Sequence, residues 1–388
     1  MHGKAAVAGI GESKYYRAGS SPYSALQLAA ISIKNAIEDA GLKPGDIDGL
    51  VTFMDTTRQH ANVCSWFGFE TLGFAANPMS GGGNLCMAAI NLADAAICAG
   101  YARNVVVYRA INQGREGRYG RSRGPSVAAG EEAYRAPFGA AVPAIWNALL
   151  TKRFMHDYAV SQDALAEIAL ACYAHAQHNP RAVMYGRPLT REAYHNSRWI
   201  AEPFHLFDCC QENDGACALV LTSGEHARDL RKPPAYILAG ASGMESGGGL
   251  WAYNDSAFPN RRYHTIGEQL WARAGVRPSE IKVAQFYENF TGSTLMAIAD
   301  IGFCRPEEVE QFVSNGALQW PHGRLPFNTS GGNLAEAYIH GLQLANEAVR
   351  QIRGESTCQV ADAEMSLAVG GPVTPPGSAV LFSRNPSN

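Results

Sequence analysis

Two kinds of hydrophobic pattern alternate along the chain. Short apolar, β-branched runs that end near Gly or a polar turn predict β-strands. Segments whose apolar residues recur every three or four positions predict amphipathic helices. In the first half the predicted strands are Ala5–Gly11, Ile47–Phe53, Asn104–Ala110 and Ala216–Thr222. The helices predicted between them are Ser24–Ala40, Asn84–Gly100 and Ser161–His178.

The second half repeats the alternation. Its predicted strands are Ala235–Ala241, Lys282–Tyr287, Ser366–Gly370 and Ser378–Ser383. Its predicted helices are Gly267–Ala274, Thr291–Gly302 and Asn333–Gly354. Alternating strands and helices favour an α/β fold built in layers. We divide the chain into two halves, residues 1–230 and 231–388. We interpret residues about 112–160, which begin polar and Gly-rich, as an excursion from the first half that covers a site.

Composition excludes several classes of partner. The 388-residue chain has a formal net charge of −3 and no run of Lys or Arg, which argues against nucleic acid. No stretch of roughly 18 apolar residues predicts a membrane span, and the first residues lack a signal peptide's apolar stretch. The nine cysteines form no CxxC pair, so we expect no metal site and reduced thiols in a cytoplasmic protein. Only 17% of the residues are charged, which favours a surface shared with other subunits.

Four stretches of sequence carry a family resemblance. They are NPMSGGGNLCMAAINLADAAICAG at Asn77–Gly100, FYENF at Phe286–Phe290, NTSGGNLAEAYIHG at Asn328–Gly341 and VGGPVTPPGS at Val369–Ser378. In this order they resemble the thiolase superfamily, in particular its sterol-carrier-protein thiolase branch of lipid-transfer proteins. The resemblance implies two similar βαβ-rich halves packed in α/β/α/β/α layers, a homodimer, and acyl-coenzyme A substrates. It implies no cofactor beyond the coenzyme A of the substrate.

The residues that perform thiolase chemistry are replaced in this chain. Aligned on the family pattern, Gly83 stands where the nucleophilic Cys belongs, and Cys86 lies about one turn further into the helix. Tyr287 and Tyr338 stand where the family has its His residues. The second catalytic Cys is also missing from the AVGG stretch at Ala368–Gly371. Two His-to-Tyr replacements indicate a new chemistry, since simple decay would give more random residues.

This combination resembles the aldolases of bacterial steroid side-chain degradation. Those enzymes pair with a DUF35 protein, which consists of a zinc ribbon and an OB-fold. The resemblance therefore implies a homodimer within a heteromeric complex. It also implies carbon–carbon cleavage of a bulky, steroid-like β-hydroxyacyl-CoA into a ketone and a shorter acyl-CoA such as propionyl-CoA.

Retro-aldol cleavage places three demands on the site: a base for the β-hydroxyl, a donor for the thioester oxygen and an acid for the α-carbon. A phenol both donates and accepts hydrogen bonds, so tyrosine suits these proton transfers. We expect Tyr287 to take the hydroxyl proton. Tyr338 would then bond the thioester or return a proton to the enolate. The two roles can be exchanged, because the sequence contains no distances.

Neighbours of the two tyrosines are candidates for supporting roles. Glu288 and Asn289 are expected to orient or tune Tyr287. His340 is a further candidate, although on the predicted helix it lies about 200° from Tyr338 and faces elsewhere.

Glycines form a second set of candidates for substrate binding. Their backbone N–H groups can approach a thioester closely; the glycines concerned are Gly331, Gly332, Gly370 and Gly371. Gly83 is expected to leave room for a bulky substituent, because it lacks the cysteine side chain of the family.

Two other functions are compatible with the same sequence. A degenerate thiolase without its cysteines can serve as a non-catalytic scaffold that binds acyl-CoA or lipid. Alternatively, Cys86 can act as the nucleophile of a true thiolase or acyltransferase, since it lies near the start of the predicted helix.

Overall fold

The computed structural model describes residues 5–55, 59–79, 82–117, 129–134, 136–140, 142–245, 263–371 and 376–386. The strands in these ranges are β1 (Ala5–Glu12), β2 (Tyr16–Arg17), β3 (Gly49–Val51), β4 (Phe74–Ala76), β5 (Asn104–Asn112), β6 (Trp199–Ala201), β7 (Phe204–His205), β8 (Asn213–Ser223), β9 (Ala235–Gly243), β10 (Ala284–Phe286), β11 (Met365–Gly370) and β12 (Gly377–Ser383). All eight predicted strands are present, with ends shifted by a few residues.

The helices in these ranges are α1 (Ala25–Ala40), α2 (Gln59–Phe67), α3 (Cys86–Cys98), α4 (Gln113–Glu116), α5 (Pro143–Tyr158), α6 (Gln162–Ala176), α7 (Arg191–His195), α8 (Gly224–Ala227), α9 (His264–Ala274), α10 (Thr291–Ile301), α11 (Val309–Val313), α12 (Gly332–Ala335) and α13 (Leu342–Arg353). Helix α1 begins at a capping box, in which Ser24 and Gln27 bond each other's backbone N–H groups, and it ends at the left-handed Gly41.

The main sheet consists of two half-sheets with the same strand order and directions. In the first, the order is β4–β3–β5–β8–β1, with β3 parallel to β4 and β5 and the other neighbours antiparallel. In the second, the order is β10–β11–β12–β9, with β10 parallel to β11. A parallel bridge between Ala284 and Phe327 takes the place of β4. The half-sheets join where β1 pairs with β9 at Ala6–Tyr236 and Val7–Ala235.

Helices cover the half-sheets and separate them. Helix α1 packs on the outer face of the first half-sheet through Leu28, Ile33 and Ile37, whose spacing puts them on one side of the helix. Helices α3 and α13 contact strands of both half-sheets and form a central layer. Helix α9 packs on β9 and β12, and α10 lies beside it. The predicted α/β/α/β/α arrangement of two similar halves is confirmed.

The helix predicted over Asn333–Gly354 is wrong. The chain forms the short α12, leaves helical geometry over residues 336–341, and resumes in α13. His340 and Gly341 both adopt left-handed backbone, with φ of 50° and 81°. A left-handed pair cannot continue a right-handed helix, so the predicted element divides here.

The predicted excursion contains regular structure that the sequence pattern did not reveal. Residues 118–128, 135 and 141 lie outside the described residues. The described part includes the 16-residue helix α5, which contacts α10 and buries Phe154. None of the helices in the described ranges is long and apolar enough to cross a lipid bilayer.

Candidate active site

Two tyrosine side chains meet in the central layer of the molecule. Tyr287 directly follows β10, and Tyr338 lies in the irregular segment between α12 and α13. Their hydroxyl oxygens are 2.7 Å apart, so one phenol donates a hydrogen bond to the other. The rings meet edge to face with centroids 6.0 Å apart, and both side chains are more than nine-tenths buried. The structure therefore brings together the two residues that the sequence indicated as catalytic.

Three glycines surround the ring of Tyr287. A β-carbon on Gly83 would overlap Cε2, Cζ and Oη of this tyrosine, and one on Gly341 would overlap Cδ2. A β-carbon on Gly371 would lie 2.9 Å from Cβ and 3.0 Å from Cδ1 of the same residue. The expectation that Gly83 leaves room for a bulky substituent is therefore wrong. The phenol of Tyr287 fills the space that a cysteine side chain at position 83 would need.

The thiol of Cys86 is enclosed by the protein. Cys86 is the first residue of α3, and none of its surface is exposed. Its Sγ lies 3.1 Å and 3.0 Å from the places where β-carbons on Gly341 and Gly370 would stand. Burial raises the pKa of the Cys86 thiol to about 12. The sulfur thus stays protonated at neutral pH and does not reach solvent, which argues against a nucleophilic role.

Two asparagines hold the backbone beside the tyrosine pair. Oδ1 of Asn328 accepts a hydrogen bond from the N–H of Phe286 at 2.7 Å, and its Nδ2 donates to the carbonyl of Phe286 at 2.9 Å. The amide of Asn328 thus makes the two hydrogen bonds that a neighbouring strand would make with Phe286, the last residue of β10. These bonds hold the backbone in place directly before Tyr287. Oδ1 of Asn213 accepts from the backbone N–H of Tyr338 at 2.8 Å. Beside both tyrosines, side-chain amides therefore supply the backbone hydrogen bonds that regular secondary structure would otherwise make.

The protonation state of Tyr287 follows from its surroundings. Burial raises the pKa of Tyr287 well above its ordinary value, and the neighbouring Tyr338 adds to the effect. Tyr287 is therefore a neutral phenol in the resting protein. A neutral phenol accepts a proton only if it passes its own proton on, and the hydrogen bond to Tyr338 provides that route. The geometry favours a two-phenol proton relay over a resting phenolate.

Glu288 contacts α12 and not the tyrosine pair, in keeping with the opposite directions of successive residues in an extended segment. Its fully buried carboxyl accepts hydrogen bonds from the N–H of Leu334 at 3.2 Å and the amide of Asn333 at 3.1 Å. A β-carbon on Gly332 would overlap Oε1 of Glu288. Burial raises the pKa of Glu288 to about 8, so the carboxyl is largely protonated at neutral pH. The structure thus places Glu288 and Gly332 in the support of α12.

The remaining predicted residues have packed surroundings. Asn289 is buried, and its carbonyl accepts a hydrogen bond from the N–H of Cys210 at 2.9 Å. A β-carbon on Gly331 would lie 2.9 Å from Cβ of Ala176. One on Gly370 would lie 2.6 Å from Oγ of Ser378. Protein atoms therefore fill the side-chain positions of both glycines.

His340 lies against Tyr338, so the prediction that it faces elsewhere is wrong. The prediction assumed 100° of rotation per residue, whereas this segment is not helical. The two rings meet edge to face with centroids 5.3 Å apart. Nδ1 of His340 accepts a hydrogen bond from Nε of Arg109 at 3.1 Å. Burial, and then the charge of Arg109, lowers the pKa of His340 well below its ordinary value.

Arg109, like Asn213 and Asn328, is a residue of this site that the sequence reasoning missed. It lies in β5, where Val105 and Val107 face the central layer, and strand alternation places it on the same side. Its side chain is buried, and the guanidinium carbon is 5.8 Å from the ring centroid of Phe53. The available signal was a charged residue at an inward position of an otherwise apolar strand.

Within the described ranges, no group of three or more His, Cys, Asp or Glu side chains is arranged to hold a metal ion.

Comparison with known proteins shows which family this chain resembles. Residues 254–382 match the family described as Thiolase C-terminal domain-like. The chain is 40% identical to the steroid side-chain-cleaving aldolase of Thermomonospora curvata, over 98% of each chain. It is 37% identical to the 17-hydroxy-3-oxo-4-pregnene-20-carboxyl-CoA lyase of Mycobacterium tuberculosis, over 98% of this chain and 100% of that protein. The solved Ltp2-ChsH2(DUF35) aldolase superposes with a TM-score of 0.91 at 40% identity, over 98% of both chains.

The layered fold and the matched domain define a protein of the thiolase-like class. Within the class, the chain belongs to the family of steroid side-chain-cleaving aldolases. The family predicted from the sequence motifs is confirmed, and with it the enzyme class, a carbon–carbon lyase.

Proposed function

We propose that this protein cleaves a bulky β-hydroxyacyl-CoA by a retro-aldol reaction, into a ketone and a shorter acyl-CoA such as propionyl-CoA. The observation that carries the proposal is the hydrogen-bonded pair Tyr287–Tyr338, in which the ring of Tyr287 fills the space that a side chain at position 83 would need. A steroid acyl-CoA is the substrate we favour. This is supported by the names of two relatives, a steroid side-chain-cleaving aldolase and a pregnene-carboxyl-CoA lyase.

In the proposed reaction the tyrosine pair moves one proton without a net change in its own charge. As Tyr287 takes the β-hydroxyl proton, its own proton moves to Tyr338, and Tyr338 gives its own proton to the α-carbon in the same movement, so neither phenol holds two protons. The C–O bond becomes the C=O bond of a ketone, and the bond between the α and β carbons breaks. Its electron pair develops as the thioester enolate and takes the proton from Tyr338. One proton leaves the hydroxyl and one reaches carbon, so the balance requires no oxidant or reductant, and we propose no cofactor beyond coenzyme A.

Tyrosine-to-phenylalanine variants test this relay. We expect Tyr287→Phe and Tyr338→Phe each to lower kcat by about 10²–10⁴-fold, the usual contribution of general acid–base catalysis. The assay incubates the full chain with its DUF35 partner and a steroid β-hydroxyacyl-CoA, and measures ketone and acyl-CoA by mass spectrometry. Tyr173→Phe is the matched control, because Tyr173 is buried and its hydroxyl contacts Gln211 outside the pair. Full rates in both site variants would overturn the relay.

Hydrogen exchange separates the roles of the two tyrosines. The α-hydrogens of propionyl-CoA exchange with D₂O only through the group that protonates the α-carbon. If that group is Tyr338, exchange is lost in Tyr338→Phe and is reduced less in Tyr287→Phe, where the group next to the α-carbon remains. The opposite pattern would exchange the two roles.

Two other functions give different outcomes in the same assay. A non-catalytic scaffold would bind acyl-CoA tightly and release no ketone, even with the partner present. A thiolase or acyltransferase that uses Cys86 would lose activity with iodoacetamide and in Cys86→Ser. The complete burial of this thiol and its raised pKa support the aldolase over the second alternative.

We propose that the chain works as a homodimer within a complex that includes a DUF35 protein. The partner is supported by the similar solved structure, an Ltp2-ChsH2(DUF35) aldolase. The homodimer is supported by the half-exposed edge strand β4 and by the exposed side chains of Trp66, Met79 and Tyr101. We also propose a cytoplasmic location, which the nine free cysteines favour. Co-purification with the DUF35 protein tests the complex directly.

A further inference from the structure

We propose that Arg109 is a positioning residue for the cleavage reaction, and that it acts through His340 on Tyr338. The inference rests on the proposed function. It starts from a buried chain of contacts that reaches from the middle of β5 to the tyrosine pair.

The first link is the hydrogen bond between Arg109 and His340. A guanidinium is always a donor, so Nδ1 of His340 must accept, and the neutral imidazole then carries its proton on Nε2. A ring in this form donates from Nε2 and is not free to act as a base through Nδ1. Arg109 thus determines which tautomer the site contains.

The second link is the placement of the His340 ring. The residue has a left-handed backbone at φ 50°, a conformation that a non-glycine residue keeps only when its surroundings hold it. Those surroundings include Arg109, the ring of Tyr338 at 5.3 Å and the ring of Phe53 at 6.4 Å. His340 therefore connects the rigid strand β5 to a segment that has no regular structure of its own.

The third link is charge. The proposed cleavage passes through an oxygen anion and an enolate, whereas the tyrosine pair itself is neutral. The guanidinium of Arg109 places a buried positive charge behind His340, where low polarity strengthens its effect. Positioning and charge together make Arg109 part of the reaction without contact to the substrate.

Kinetics of three variants test the role. We expect Arg109→Met to lower kcat about 10–100-fold with KM within about threefold, the scale of a misplaced catalytic group. His340→Gln should retain more activity than His340→Leu, because the amide of Gln keeps a neutral acceptor and donor. Arg228→Met is the matched control, since Nε of Arg228 also donates to an aromatic side chain, the hydroxyl of Tyr236, on another part of the chain.

A second readout does not depend on turnover. In ¹⁵N-histidine-labelled protein, we expect His340 to keep its single proton on Nε2 from pH 5 to pH 8. Arg109→Met removes a neighbouring positive charge, so it should raise the pH at which the ring takes up a second proton. The His340→Gln variant assigns the signal. The ring faces Arg109 on β5, Tyr338 on its own segment and the ring of Phe53.

The outcomes are distinct. A proton on Nδ1 in the wild type, or wild-type kcat in Arg109→Met, overturns the role of Arg109. A wild-type complex that releases no ketone overturns the proposed function instead, and the NMR spectrum then still decides whether Arg109 sets the tautomer.

Discussion

Gly83 shows how one residue changes the chemistry of the site. The missing side chain allows the phenol of Tyr287 to approach the backbone of Gly83. A side chain at position 83 and the ring of Tyr287 cannot occupy the same space, so the position of this tyrosine depends on the glycine.

Substitution at this glycine tests the dependence. We expect Gly83→Ala to lower kcat at least about 100-fold, because the added β-carbon must displace the Tyr287 ring from its partner. The cleavage assay measures this loss, and circular dichroism shows whether the fold persists. Gly45→Ala is the control, since a β-carbon there meets no atom within 4 Å. Equal activity of the two variants would contradict the arrangement.

At the scale of elements, the division between α12 and α13 forms the site. The apolar residues of Asn333–Gly354 have helical spacing throughout. In the middle of this range, however, other side chains bond the backbone N–H of Tyr338 and the carboxyl of Glu336. Asn213 accepts from the N–H of Tyr338, and Glu336 accepts from Ser330 at 2.6 Å and from Asn179 at 2.9 Å. These long-range bonds offset the loss of helical ones, and the segment turns Tyr338 towards Tyr287.

Glu288 bonds residues of α12, directly before this segment, through its buried carboxyl. Its raised pKa predicts that the stability of the protein depends on pH. In the folded protein its pKa is about 8, against about 4.5 for an ordinary Glu. Between these values the unfolded chain loses the proton while the folded protein keeps it, so stability falls as pH rises through this window. Glu288→Gln removes the effect. Its stability relative to wild type should increase by roughly 3–4 kcal/mol from pH 5 to pH 8 and then level off.

The midpoints of thermal unfolding, measured between pH 5 and pH 9, check this expectation. Glu225→Gln is the matched control, because Glu225 is exposed and its substitution should leave the wild-type curve unchanged. A Glu288→Gln curve parallel to that of the wild type would show that the buried carboxyl does not stabilise through its proton.

At the scale of the whole molecule, the two halves place equivalent helices at the site. Each central helix precedes the strand that lies third from the junction, α3 before β5 and α13 before β11. Gly83 lies just before α3 and Gly341 just before α13, and both contact Tyr287. Two helix N-termini, each with roughly half a positive charge, thus meet at the pair. This arrangement favours the anions of the proposed cleavage.

The edge of the first half-sheet gives a prediction about assembly. Strand β4 pairs with β3 on one side, and Ala75 at its middle is exposed. A charge at an edge strand opposes pairing with another strand. We expect Ala75→Asp to convert a dimer of 41.6-kDa chains into monomers, as measured by light scattering of the purified full chain. Tyr185→Asp, at an exposed position elsewhere, should remain dimeric. A dimeric Ala75→Asp would place the interface on another surface.

The sequence was sufficient for much of this description. Local periodicity located eight of the twelve strands in the described ranges and the helices α1, α3, α6, α9 and α10, because hydrophobic spacing is set by the geometry of each element. The order of four motifs identified the family, and the residue types at Gly83, Tyr287 and Tyr338 indicated a lyase in place of a thiolase. These features depend on which residues stand at which positions along the chain.

Tertiary structure alone decided how the site is assembled. The bond between Tyr287 and Tyr338 spans 51 positions, and that between Arg109 and His340 spans 231. No local pattern encodes such contacts, since they arise when half-sheets and central helices pack together. The same packing divides, at His340 and Gly341, a segment whose apolar residues have helical spacing, and it fills the space beside Gly83 with a phenol. The sequence thus determined the chemical groups of this protein, whereas the fold decided which of them meet.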